Sequence, residues 1–129
     1  ETASLEFVGG YTREAGFAAT EVILDADPRP TAIVAANDYC AMGAVSALHQ
    51  AGVSVPDEMS VGGLDGLAST QYAVPPLTTV KVPVRELGYQ AVARLVARLA
   101  GGEIPVEQHV VPVELTVRES TAQVADAIA

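Results

Sequence analysis

Three times along this chain a short apolar run ends at a side chain able to hold a small polar molecule. Leu5–Gly10 leads to Tyr11, Ala32–Ala36 to Asn37, and Val61–Leu64 to Asp65. Each is followed by a stretch patterned as a helix or a turn. Apolar runs alternating with helices predict an α/β fold, a mostly parallel sheet flanked by helices. In open sheets of this kind, ligands sit beyond the carboxyl ends of the strands. Tyr11, Asn37 and Asp65 are therefore the candidate binding residues. A ring covers an apolar face, an amide donates and accepts, and a carboxylate takes paired hydroxyl protons. Such a set suits a sugar or nucleoside.

The helices can be placed between these runs. One is expected from Thr12 to about Asp25, stopped by Pro28-Arg29-Pro30. Thr31–Ala36 reads as a strand buried on both faces. Asn37 or Asp38 caps the next helix, which runs to Ala51 and closes at Gly52. Between Tyr39 and Ala51 only Ser46, His49 and Gln50 are clearly polar. A helix apolar on most sides is buried on most sides. Either another subunit covers it, giving a homodimer through the 39–51 helix, or it is sandwiched within the monomer. Ser60–Leu64 reads as a strand, Ala68–Val74 as a short helix and Leu77–Val82 as a strand. Pro83 begins the longest helix, which runs to about Ala100 and ends at Gly101-Gly102. Its stripe of Val84, Leu87, Ala91, Leu95 and Leu99 needs a cover. A second copy or a free sheet edge would supply one. His109–Val117 is the last strand, and the tail Thr121–Ala129 is expected to fray.

Composition excludes several functions. The chain has 129 residues and a net charge of −9, so it should not bind nucleic acid by itself. No apolar run reaches membrane-spanning length, and no membrane partner is expected. One cysteine, Cys40, rules out an internal disulfide and fits a reducing, cytoplasmic setting. Cys40 reads as a small buried hydrophobe. His49 and His109 lack acidic or cysteine partners at metal-binding spacing. The pairs Gly9-Gly10 and Gly62-Gly63 do not form a dinucleotide fingerprint. With no Ser-His-Asp or Cys-His set, neither catalysis nor a cofactor is expected.

Every candidate has a plainer role. Asn37 can cap the helix it precedes, and Asp38 is read as a cap rather than a ligand. Asp65 can bond its own turn, and Tyr11 can be half-buried packing. Tyr72, beside Pro75-Pro76, reads as packing or a subunit contact.

Several strings together resemble a known family. Pro30-Thr31-Ala32-Ile33-Val34-Ala35-Ala36-Asn37-Asp38 is followed by Ala41-Met42-Gly43-Ala44. Then come Val55-Pro56-Asp57-Glu58-Met59-Ser60-Val61-Gly62-Gly63-Leu64-Asp65, Pro75-Pro76-Leu77-Thr78-Thr79-Val80 and Val117-Arg118-Glu119-Ser120-Thr121. In this order and spacing, from Gly9 to Thr121, they resemble the carboxyl-terminal part of lactose/galactose-repressor-type bacterial transcription regulators. The resemblance implies one lobe of a two-lobed, periplasmic-binding-protein-like (type I) effector domain, spanning residues 1–129. Residues 84–104 would cross to a first lobe not contained in this chain. It also implies a small sugar-like effector, with Asn37 and Asp65 as ligands and Tyr11 as the covering aromatic. Operator DNA would be bound only through an amino-terminal helix-turn-helix, also not contained here. Two departures reduce polar contacts: Gly66 replaces a second acidic residue, and Val82 stands where many members have Gln. The rival expectations are a periplasmic sugar-binding protein of a transport system and a phosphoacceptor or enzyme using Asp65.

Overall fold

The computed structural model describes residue 6, residues 9–102 and residues 109–123. Its elements are α1 (Arg13–Leu24), β1 (Ala32–Val34), α2 (Asp38–Gln50), β2 (Ser60–Asp65), a 3-10 turn (Ala68–Tyr72), β3 (Thr78–Lys81), α3 (Val84–Leu99) and β4 (Glu114–Thr116). The strand order is β1-β2-β3-β4. The first three strands are parallel, and β4 runs antiparallel to β3. The α/β, mostly parallel architecture expected from the sequence is borne out. The strand expected at Leu5–Gly10 falls largely outside the described residues, as do residues 103–104 of the proposed crossing.

Helix ends follow local chemistry. The Thr12 hydroxyl accepts from Ala15 N–H and caps α1. Hydrogen bonds from its own backbone N–H and the Thr12 hydroxyl hold the Glu14 carboxyl below its ordinary range. At the far end of α2, Gly52 takes φ +74°, a left-handed conformation that costs glycine little.

The core joins α2 to the sheet. Ala41, Ala44, Val45 and Leu48 pack with Val53, Met59, Val61 and Leu77. On its other side α2 meets α1 at very short range. A Cβ at Gly16 would fall on the Cys40 backbone, and one at Gly43 on the Arg13 carbonyl. This contact explains the smooth surface of α2. Its apolarity is satisfied inside the chain, so burial supplies no reason to invoke a second subunit at residues 39–51. The exposed remainder of α2 is Tyr39, Ser46, His49 and Gln50.

Other expectations need correction. β1 is not buried on both faces: Ile33 and Ala35 pack toward the core, whereas Ala32 and Val34 are exposed. Among the described residues, nothing covers its second face. The last strand is three residues long rather than the expected His109–Val117, and it begins two residues after Pro112. Proline has no N–H to give to a ladder. The tail is anchored at its start, where the Thr121 and Thr78 hydroxyls bond at 2.9 Å and Ala122 N–H donates to the Ser60 hydroxyl. Residues 124–129 lie outside the described set.

α3 stands apart. It has no buried residue, and among the described residues it makes no extensive contact with another element. Leu87, Leu95 and Leu99 are 38%, 57% and 79% exposed. The sheet edge named as one possible cover for this stripe does not provide it.

Candidate functional site

Parallel pairing of β1 with β2 sends both carboxyl ends to one edge of the sheet. Asn37 follows β1 at the start of α2, and Asp65 is the last residue of β2. Tyr11 precedes α1, and its carbonyl accepts a 2.9 Å hydrogen bond from Asn37 Nδ2. All three sequence candidates therefore lie at the same edge. Tyr11 is 72% exposed, so its ring is not packed in the core. Asn37 and Asp65 are half-buried.

Asn37 does cap α2: its Oδ1 accepts from Cys40 N–H at 2.8 Å. One amide hydrogen and one oxygen lone pair remain for a further partner. Asp38 does not cap, contrary to expectation. It is fully buried and reaches across to the β2 turn, where its Oδ2 accepts from Leu67 N–H at 2.7 Å. Its Oδ1 accepts from the Thr79 hydroxyl. That hydroxyl in turn accepts from Gly66 N–H at 3.3 Å. Gly63 makes room for this carboxylate, because a Cβ there would fall on Oδ1.

The turn itself is strained. Asp65 has φ +120° and Gly66 has φ +73°. A non-glycine residue in such a region costs about 1–3 kcal/mol and persists only when its surroundings hold it. Glycine at position 66 also lets the turn lie against Lys81, whose Cα would sit 2.7 Å from a Cβ there. Lys81 is paired with Asp65 in the β2–β3 ladder and exposed.

Sequence reasoning missed four further residues. Thr79 lies inside an apolar run, where a buried threonine looks like any β-branched strand residue. Lys81 carried a usable signal, a charge at the end of a strand. Arg118 and Ser120, like Thr79, were named only within the strings that carry the resemblance. Arg118 Nη1 donates to the Thr70 hydroxyl at 3.0 Å and the Leu77 carbonyl at 2.6 Å. The Ser120 hydroxyl accepts from Thr78 N–H and donates to the Val61 carbonyl. They bind the returning chain to β2 and β3. Cys40 is buried as expected, and burial pushes its thiol up in pKa. No group of metal-binding side chains occurs among the described residues. No described helix is long and apolar enough to cross a membrane.

A family model described as a periplasmic binding protein-like domain matches residues 3–121. The chain belongs to this family. Its curated relatives are transcriptional regulators. It is 41% identical over 95 residues to the regulator AscG of Escherichia coli (strain K12), covering 74% of this chain and 28% of that protein. It is 35% identical to the repressor PurR of Mannheimia succiniciproducens, covering 92% and 36%. A crystal structure of the lac repressor dimer bound to operator and an anti-inducer matches with TM-score 0.82 and 34% identity, over 89% of this chain and 40% of that one. A regulator of the lactose-repressor family from Enterococcus faecium, with bound ribose, matches with TM-score 0.79 and 32% identity, over 88% and 42%. The resemblance to lactose/galactose-repressor-type regulators is borne out. The chain spans 28% to 36% of the length of the curated relatives cited.

Proposed function

We propose that this chain is the carboxyl-terminal lobe of the effector-sensing domain of a bacterial transcription regulator working in the cytoplasm. The supporting observation is the convergence of Tyr11, Asn37 and Asp65 at the carboxyl edge of a parallel sheet. There Asp65 accepts hydroxyl protons, the Asn37 amide offers its remaining donor and acceptor, and Tyr11 covers an apolar face. The effector is a sugar or a related metabolite, as in the relative that holds ribose. The protein is a binding module rather than an enzyme.

In the complete protein, α3 belongs to a first lobe that precedes this chain, and effector is held between the lobes. Bridging ligand favours one interlobe angle. The dimer transmits that angle to a separate operator-binding head as a shift in population. An acidic chain of net charge −9 leaves DNA contact to that head.

Thermal shift of the full-length regulator with D-galactose, D-glucose, D-ribose and adenosine tests the reading, since a ligand of the folded state raises its stability. For the sugar or nucleoside that stabilises the wild type, Asp65→Asn should weaken binding by about 1.5–3 kcal/mol with little loss of folding, whereas Asn37→Ala should weaken binding and also cost about 1 kcal/mol of stability, because it removes the α2 cap. Unchanged titrations in both variants would reject these residues as ligands.

A further inference from the structure

Between the two proposed effector groups lies a carboxylate, Asp38, that is shut off from solvent. We propose that Asp38 is a positioning residue: through one clamp it sets the Asp65 turn relative to Asn37. The inference rests on the reading of that edge as the effector site. Asp38 follows Asn37 directly in the first turn of α2, so its backbone moves with the cap. Its side chain holds the two amides that follow Asp65, Leu67 directly and Gly66 through Thr79. Leu67 N–H donates to Oδ2 at 2.7 Å, and Gly66 N–H donates to the Thr79 hydroxyl, which donates onward to Oδ1.

Three features mark this as a built arrangement. Asp38 and Thr79 are 0% and 1% exposed, so water does not compete for their bonds. No cation of the described residues forms an ion pair with Asp38; its oxygens are satisfied by the turn and by Thr79. Gly63 provides space that any side chain would fill. The clamp also explains how Asp65 keeps φ +120°: the next two residues are fixed from outside the turn, so Asp65 cannot relax independently. Asp65's own side chain takes no part in the clamp.

Amide hydrogen exchange on the full-length regulator, without effector, tests the clamp independently of the effector assignment. In Thr79→Val, which removes the acceptor of Gly66 N–H, exchange at Gly66 should quicken by about two- to tenfold, the factor expected for a lost neutral hydrogen bond. Amides of the α2 core, Ala44 to Leu48, should keep their wild-type rates. Thr79→Ser, which retains the hydroxyl, should restore protection. Asp38→Ala, which removes the acceptor that asparagine would keep, should expose Leu67 in the same local way. Asp65→Ala should leave both amides protected, even if Asp65 proves not to bind effector. Uniform acceleration across α2 and the sheet would make Asp38 merely a core residue and overturn the proposal. Unchanged exchange at Gly66 in Thr79→Val and at Leu67 in Asp38→Ala would overturn it as well.

Discussion

α2 and α3 both carry broad apolar surfaces, yet one is enclosed and the other bare. α2 lies between α1 and the sheet, with eight of its residues buried. α3 is longer and as clearly striped, yet none of its residues is buried. Periodicity thus states that a helix has a face to cover, without saying what covers it. Composition separates the two cases better. α2 meets its partner through Gly43 and alanines, which permit backbone approach within one chain. α3 presents Val, Leu and Tyr side chains that would need a groove shaped to receive them.

Three substitutions can break or sharpen this contrast. The largest effect is expected for Leu48→Ala, because Leu48 is fully buried. Urea unfolding should show a loss of about 2–5 kcal/mol. Next is Gly43→Ala, where the new methyl meets the Arg13 carbonyl. Forcing α1 from α2 should cost about 1–3 kcal/mol by the same measurement. A neutral result would show that the two helices are not locked as described. The smallest effect is expected for Leu95→Ala in this 129-residue chain, within about 0.5 kcal/mol. In the full-length regulator the same change should cost about 2–5 kcal/mol, because the first lobe should bury that side chain. Equal, small effects in both would detach α3 from the first lobe.

Much of this was legible in the sequence because it depended on local signals. Thr12 and Gly52 marked helix ends by their chemistry, and apolar runs marked β2 and β3. The edge carrying Asn37 and Asp65 followed from strand direction, and Tyr11 joins it through the hydrogen bond from Asn37 to its carbonyl. The hidden part was long-range. Asp38 looks like a cap from its neighbours, and only the fold brings Thr79 and Leu67 to it from 41 and 29 residues away. The α1–α2 contact was hidden for the same reason, since glycines in a helix suggest weakness until a partner's backbone is known to fill the space. The short β4 was partly legible, because Pro112 was visible.

The antiparallel register at β3 and β4 carries a last consequence. Lys81, where the chain leaves the sheet, is paired directly with Glu114, where it returns. Everything between them is a detour whose two ends already touch. Antiparallel neighbours of this kind can be joined by a two-residue turn. The sheet therefore does not need α3 to close its own topology. The chain leaves the sheet and returns to it at a single rung of one ladder.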